Sequence, residues 1–489
     1  MAKVGHQTNM STKSKTTTSI TAAPAEWLKR MPLVAGLLAG LCFLKFGVPV
    51  VLPQAHATPD VLTEWVSDQW PLPIGYLVLG AVLLYGFMSP RVPRDLPRWL
   101  LWAPAAWLGW QVLATIGSKS SGLATTVLLH FGALVCCYYL GLFALSRLTD
   151  GRRFWIPVGV ALLLVLLKGF GQQYGGMTST TDYIEQNEAT GWTNLPKDEL
   201  NDLLQSGVVI KTETGRYTVV PEVLKRVRGG RISGTLVYAN ALAGVILLSL
   251  PAILIATWRA SDKLPKIARM VIFGLVLYMG AACLVWSGSK AGWLVAMAMV
   301  LALVLAQPFP TQWKWGILAV ILIGGAGGFW FKYSEKLKNP TSVVARFDYW
   351  SAALKLTKER PLLGHGPGGF GNGYARLKAP ESEPTRLTHN DYLEQACDSG
   401  LPGFFLFIAW IGGCMRRVWI KGMHPGADAL IQAMALGLIG WALQSFVEFG
   451  LYVPAIAWVA MLMLGWVTGL AEPQTASTVN KASPNLATS

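Results

Sequence analysis

"TLVYANALAGVILLSLPAILIAT", Thr235–Thr257, runs for 23 residues without a charged side chain. A helix of roughly 20 apolar residues crosses the ~30 Å hydrocarbon core of a bilayer. A helix on a soluble core would show one polar face, and this stretch has none, so it reads as a membrane span. Similar blocks lie outward from it in both directions, at about 32–52, 73–89, 99–117, 123–145, 154–170, 270–287, 291–306, 315–331, 402–420, 428–447 and 453–470. The blocks at 154–170 and 315–331 are short, and the second carries Gly324, Gly325, Gly327 and Gly328. The 489-residue chain is 53% hydrophobic and only 14% charged, where a soluble domain has about 25% charged residues. Its mean hydropathy is +0.42. The expected fold class is therefore an all-α integral membrane protein with about twelve transmembrane helices.

Charge sets the expected orientation. With a cytoplasmic N-terminus, the short inner joints carry Arg91, Arg94 and Arg98; Arg147, Arg152 and Arg153; Arg259, Lys263, Lys266 and Arg269; Lys314; and Arg416, Arg417 and Lys421. The short outer joints then carry only Lys119 and Lys290. Basic residues accumulate in short cytoplasmic loops, which places both termini inside. The net charge of +15 follows partly from this bias and calls for no nucleic acid. Ala55-His56-Ala57 resembles a signal-peptidase site. The apolar stretch before it is too long for a signal peptide, whose apolar region has ~7–15 residues, so it reads as an uncleaved first span. Residues 1–31 and 471–489 read as disordered cytoplasmic tails. Five cysteines (Cys42, Cys136, Cys137, Cys283 and Cys414) fall in or beside spans, and Cys397 lies outside them. No C-x-x-C pair supports zinc or a disulfide framework.

The expected organisation is a transmembrane bundle over 32–170, an extracytoplasmic insertion over 171–234, a central bundle over 235–331, a second extracytoplasmic loop over 332–401, and C-terminal transmembrane helices over 402–470. Within the insertion, Asp198–Gln205 and "PEVLKRVRGG" read as helices, and "VVIKTETGRYTVV" as a hairpin turning near Thr214-Gly215. In the second loop Phe347, Trp350, Ala353, Leu354 and Leu356 share helical spacing and predict an amphipathic helix at the membrane surface, ended by Pro361. Gly364, Gly366 and Gly369 after it match G-x-G-x-x-G. A dinucleotide fingerprint follows a strand and opens a helix, whereas this one follows a helix. The glycines fit a tight turn that approaches a ligand or a neighbouring helix closely.

Four stretches carry a resemblance. They are "ARFDYWSAALKLTKERPLLGHGPGGFGNGYARL…RLTHNDYLEQACDSGLPGFFLF", "GTLVYANALAGVILLSLPAIL", "WSGSKAGWL" and "SFVEFGLYVPAIA". In order and on the expected side, over about 230–470, they resemble the signature segments of the O-antigen ligase and polymerase superfamily. Tyr238 and Ala239 stand where more polar residues are common, Lys290 where Arg is usual, and Glu448 where Asp is usual. The resemblance implies an all-helical glycosyltransferase of GT-C-like architecture in the bacterial cytoplasmic membrane. Such an enzyme moves a glycan from a polyprenyl diphosphate carrier, such as undecaprenyl diphosphate, to an acceptor hydroxyl on a lipid or glycan, as in lipopolysaccharide assembly. It implies inversion at the anomeric centre, no metal and no other cofactor.

The chemistry asks for matching parts. A departing lipid diphosphate needs fixed cations, and Arg346, Lys290, Arg386 and Arg231 lie near outer helix ends. Arginine offers a planar fork to phosphate oxygens, lysine a point charge. The attacking hydroxyl needs a base, and His389 is the candidate, with Asn390 and Tyr392 placed to orient it or to hold sugar hydroxyls. Glu448 sits at the outer end of a span, where an ionisable group needs a partner; it could hold an arginine or help polarise the acceptor. Gly366 and Gly368 are candidates for backbone contact with substrate. The candidate catalytic set is His389, Arg346 and Glu448, with no metal ligands. A polymerase of the same superfamily, transfer to a protein hydroxyl, and a membrane transporter are the alternatives. A transporter wants ionisable groups at mid-membrane depth. Oligomeric state, sugar and acceptor are not encoded legibly.

Overall fold

In the computed structural model of the protein, residues 26–471 are described except 89, 149–150, 197–199, 202, 205–208, 213–214, 220–229, 321–322, 325–326, 328–340, 380–381 and 383. Both expected tails thus lie almost wholly outside the described residues. So do nearly all of the helix expected at 221–230, half of the one at 198–205, whose residues 200, 201, 203 and 204 are helical, and most of the glycine-bearing end of the block at 315–331. Residues 311–320 are helical.

The fold is helical almost throughout. The helices are α1 (Glu26–Lys45), α2 (Leu62–Ser67), α3 (Leu72–Gly86), α4 (Arg98–Ala114), α5 (Ser121–Phe143), α6 (Arg152–Gly171), α7 (Met177–Ala189), α8 (Ala239–Ala260), α9 (Lys266–Trp286), α10 (Lys290–Ala306), α11 (Thr341–Glu359), α12 (Phe370–Leu377), α13 (Asp391–Gly422), α14 (Ala429–Gln444) and α15 (Pro454–Gly469). Among the described residues, six helical stretches are long and apolar enough to cross a membrane: Arg98–Gly117, Ser121–Arg147, Arg152–Gly175, Ala239–Ala260, Lys266–Trp286 and Asp391–Gly422. Leu72–Gly86, Lys290–Ala306, Ala429–Gln444 and Pro454–Gly469 are shorter apolar helices.

Helix α15 is the axis of the bundle, with every residue buried, and it packs along α5 more extensively than any other pair of elements. Small residues make this possible: a Cβ on Gly465 would lie 1.9 Å from the Tyr138 carbonyl oxygen, and one on Gly141 2.1 Å from that of Leu462. Helices in lipid associate through such close packing, because burial of apolar surface from water is not available there. Polar groups in this core are paired. Trp458 Nε1 donates to His130 Nδ1 at 3.2 Å, so His130 Nε2 carries the hydrogen and donates to the Leu451 carbonyl at 2.8 Å.

Two elements shape the end of the bundle expected to face outward. Helix α13 starts eleven residues before the expected apolar block, because Asn390 caps it: its side-chain oxygen accepts from Tyr392 N at 3.1 Å and Leu393 N at 3.0 Å. Gly400, at φ 70 and ψ −178, breaks α13 just before Pro402. Helix α11 is the one expected from its apolar spacing, but its apolar residues divide between two faces. Tyr349, Ala352, Ala353 and Leu356 are buried in a small cluster with Phe370, Tyr374 and Cys397, while Phe347 and Leu354 are exposed.

The insertion begins as a continuation of α6. A π-turn at Gln172–Gly176 leads into α7, a helix the sequence reading did not anticipate. The expected hairpin is present as β1 (Val209–Lys211) and β2 (Tyr217–Val219), antiparallel with Ile210 opposite Thr218. Val209 and Val219 pack with Ile184 and Trp192 in a small core of their own.

Candidate functional site

A polar cavity of about 230 Å³ is lined by Arg231, Asn240, Gly288, Lys290, Ala291, Ala345, Arg346, Tyr349, His389 and Glu448. Five of these residues, drawn from sequence positions more than two hundred apart, were candidates on sequence grounds: Arg231, Lys290, Arg346, His389 and Glu448.

Glu448 organises the cavity. It follows α14 and is buried, at 4% exposure. Its Oε1 accepts from Arg346 Nη2 at 2.5 Å and from Asn240 Nδ2 at 2.7 Å. Its Oε2 faces His389 Nδ1 at 3.4 Å. Burial alone would push the carboxyl up. The hydrogen bond and charge of His389, the Arg346 guanidinium and the Asn240 amide together outweigh it and hold Glu448 below the usual carboxylate range.

His389 is fixed on all sides. It stands immediately before the cap of α13 and takes a left-handed backbone, φ 53, which costs an L-residue about 1–2 kcal/mol. The flanking residues enforce it. Thr388 N donates to Glu394 Oε2 at 2.6 Å, Thr388 Oγ1 donates to the Asn390 carbonyl at 2.8 Å, and Asp391 N donates to the Ser445 carbonyl at 2.8 Å. The imidazole stacks on Tyr349, with ring centroids 5.8 Å apart, and meets the edge of Phe449 at 4.6 Å.

The cations arrive from three elements. Arg346 lies in the second turn of α11. Lys290 is the first residue of α10, whose cap Ser289 accepts from Gly292 N at 3.1 Å. Arg231 stretches across Gly288, donating from Nε to the Ser287 carbonyl at 2.7 Å and from Nη2 to Asn240 Oδ1 at 2.6 Å. A Cβ on Gly288 would sit 3.2 Å from Arg231 Nε. Asn240 thus joins Arg231 to Glu448, each half of its amide used.

Other sequence candidates lie elsewhere. Arg386 Nη1 donates to the Val51 carbonyl at 2.9 Å, and Arg386 does not line the cavity. The Asn390 side chain is engaged as the α13 cap, and Tyr392 Oη donates to the Ala442 carbonyl at 2.9 Å. Gly366 and Gly368, at φ 86 and 72, belong to a turn held against α13. Asp398 accepts from Gly368 N at 2.7 Å and Gly369 N at 3.1 Å, and Gly366 N donates to the Asp398 carbonyl at 2.8 Å. A Cβ on Gly366 would fall 2.5 Å from Ser118. The glycines therefore serve a close approach to neighbouring helices. Asn240 and Tyr349 were not singled out from sequence, although Asn240 lies within the quoted "GTLVYANALAG" segment and Tyr349 within "ARFDYW". Among the described residues no group of three or more His, Cys, Asp or Glu could hold a metal ion.

Residues 274–408 match the family model described as O-Antigen ligase. That segment is thus similar to an O-antigen ligase domain. The matched segment contains Lys290, Arg346, Tyr349 and His389; Arg231, Asn240 and Glu448 lie on either side of it and complete the cavity. A protein of Haemophilus influenzae (strain ATCC 51907 / DSM 11121 / KW20 / Rd), described as an uncharacterized protein, is 40% identical over 81 residues, which are 16% of this chain and 20% of that protein. The similarity thus spans about a fifth of the length of that curated relative. The apolar helices indicate a multi-pass membrane protein, and its segment 274–408 is similar to the O-antigen ligase family.

Proposed function

We propose that this protein is an inverting, metal-independent glycosyltransferase of GT-C-like architecture. It would move a glycan from a polyprenyl diphosphate carrier to an acceptor hydroxyl at the outer face of the bacterial cytoplasmic membrane, with about twelve spans and both termini inside. The reading rests on one observation above the rest: Arg231, Lys290 and Arg346 converge on the cavity that holds the His389–Glu448 pair. The three cations supply a fixed positive field for a diphosphate, whose negative charge grows as it leaves. Glu448 accepts the Nδ1 hydrogen of His389, which leaves the Nε2 lone pair to act as base. The acceptor oxygen forms a bond to the anomeric carbon. The bond from that carbon to the diphosphate oxygen breaks with its electron pair, and the hydroxyl proton passes to His389 Nε2. Attack opposite the leaving group inverts the centre. The exposed face of α11 around Phe347 and Leu354 gives the carrier's apolar chain a membrane-side approach beside Arg346.

The test is purified protein with a polyprenyl diphosphate-linked glycan and a defined acceptor, assayed with and without chelator. Transfer that survives chelation and depends on the three cations supports the reading; absence of transfer, with folded protein and either substrate varied, sinks it. The glycan profile after deletion of the protein separates ligase from polymerase. Full-length chains held on the carrier indicate a ligase, and single repeat units indicate a polymerase.

A further inference from the structure

Arg231 reaches the cavity on a short strap, residues 230–236, that belongs to neither a helix nor a strand. Side chains hold this strap. Gln172, in the π-turn at the outer end of α6, accepts from Ser233 N at 2.9 Å and Gly234 N at 2.8 Å, and donates from Nε2 to the Gly234 carbonyl at 3.1 Å. Gln69, just before α3, donates to the Thr235 carbonyl at 2.7 Å and the Leu44 carbonyl at 3.3 Å, and accepts from Gly47 N. Thr235 Oγ1 adds a hydrogen bond to the Phe43 carbonyl at 2.7 Å. Neither glutamine lines the cavity.

We propose that Gln172 and Gln69 are positioning residues for Arg231: two amides from separate outer segments clamp its strap and so fix the depth at which its guanidinium stands in the cavity. A planar amide presents an acceptor and a donor side by side, and each glutamine uses both against backbone that no helix or strand satisfies. The seat leaves little slack. Gly234 takes φ 63, and a Cβ there would lie 2.9 Å from the Val165 carbonyl oxygen of α6. Ile232 N donates to the Trp286 carbonyl at 3.3 Å, beside the Ser287 carbonyl that holds Arg231 Nε. The strap is therefore fastened to α6, α1 and the end of α9 together, and Arg231 is aimed by that fastening. The π-turn has a use here as well. The wider turn sets Gln172 at the strap where α6 gives way to α7, and such turns recur at functional sites.

The inference rests on the reading of the cavity as a diphosphate site, and the experiment separates the two. Binding of geranylgeranyl diphosphate to the purified full chain is measured for Arg231→Ala, Gln172→Leu, Gln172→Glu, Gln69→Leu and the double variants with Arg231→Ala, with thermal stability followed in each. Gln172→Leu is expected to weaken binding on the order of five- to tenfold. Gln172→Glu still accepts from both strap N–H groups but repels the Gly234 carbonyl, and should lose less. In the Arg231→Ala background neither glutamine substitution should weaken binding further, because the cycle closes on one shared effect. In turnover, the loss should fall on KM for the donor and leave KM for the acceptor unchanged. Additive losses, or full binding in Gln172→Leu when Arg231→Ala is impaired, overturn the positioning role and leave the diphosphate site standing. Full binding in Arg231→Ala overturns the diphosphate site and this inference with it. Should Gln172→Leu fail to fold, Gln172→Glu and Gln69→Leu carry the same cycle.

Discussion

Glu448→Gln is the most informative single substitution, because it preserves volume and removes only charge and acceptor capacity. The new amide oxygen can occupy the Oε1 position and keep the hydrogen bonds from Asn240 and Arg346. Its NH2 group then takes the place of Oε2, which faces His389 Nδ1 at 3.4 Å. It donates instead, so the imidazole must carry its hydrogen on Nε2, the atom proposed to take the acceptor's proton. Loss of a general base typically costs about 10²–10⁴-fold in rate. The structural penalty is smaller. A hydrogen bond to a charged group is worth about 1.5–3 kcal/mol; Arg346 is 20% exposed beside an open cavity, and solvent screening reduces its share to about 1 kcal/mol. The substitution should therefore act on kcat while the protein remains folded. The assay is steady-state transfer with donor and acceptor varied separately, alongside thermal unfolding of the same preparation. Glu448→Asp, the residue the superfamily resemblance places there, should fall between parent and Glu448→Gln. A Glu448→Gln protein that turns over within about threefold of the parent would refute the argument that this carboxylate sets the tautomer. The pH dependence has a definite sign. The folded carboxyl is held below its usual range, so its contribution is present above the ordinary carboxylate value of ~4.3 and is lost only as pH falls through the lower folded value. A fall in activity between pH ~5 and ~8 would thus not report Glu448.

Four further outcomes are expected. Arg346→Ala should lower turnover sharply and Arg346→Lys restore only part of it, since lysine lacks the bidentate fork; Lys290→Arg should be tolerated, and full activity in Arg346→Ala at normal protein level would remove Arg346 from the site. His389→Ala should keep donor binding and lose about 10²–10⁴-fold in transfer; an unchanged single-turnover rate would relocate the base. Gly366→Ala should destabilise the purified protein by more than ~1 kcal/mol, because φ 86 and a contact 2.5 Å from Ser118 both exclude a Cβ; unchanged thermal unfolding would contradict the close approach. Cysteines introduced by Thr190→Cys and Ser382→Cys should react with impermeant reagents on intact cells, and Asp262→Cys, at an exposed joint expected inside, should not; the reverse pattern would invert the topology.

The sequence disclosed the helices well, because uncharged runs such as Thr235–Thr257 have few alternatives. It disclosed the start of α13 poorly: the expectation followed the apolar block from 402, whereas Asn390 caps a polar stretch whose Asp391, Glu394 and Asp398 are buried against neighbours. The continuation of α6 into α7 was hidden for a similar reason, since hydropathy ends at the membrane and the helix does not. Charge at the expected span ends, together with the family resemblance, pointed to Arg231, Lys290, Arg346, His389 and Glu448, which line one cavity. Charge also pointed to Arg386, which hydrogen-bonds to the Val51 carbonyl outside the cavity. Asn240 was passed over because a neutral amide at a helix start is an ordinary residue until its two partners are known. Tyr349 was passed over because its part is to stack on His389, a relation across 40 residues of chain that spacing does not encode. The glycines of 364–369 were legible as a turn, but the carboxylate that holds the turn lies about thirty residues further on.

Gly400 has a consequence for how this region tolerates change. In an unbroken α-helix each inserted residue rotates everything beyond it by about 100°, so a one-residue change of length in the span would swing the Asn390 cap, and His389 with it, out of the cavity. The backbone break at Gly400 separates the two halves in phase. The half before Gly400 takes its rotation from Asp398, Ser445, the Gly368–Gly369 amides and the α4 side chains Trp107 and Gln111, which hold Gln395 and Ser399, and the half after it from the rings of Phe407 and Trp410 against Trp107. A change of length beyond Gly400 can then be taken up at the break while the imidazole keeps its bearing.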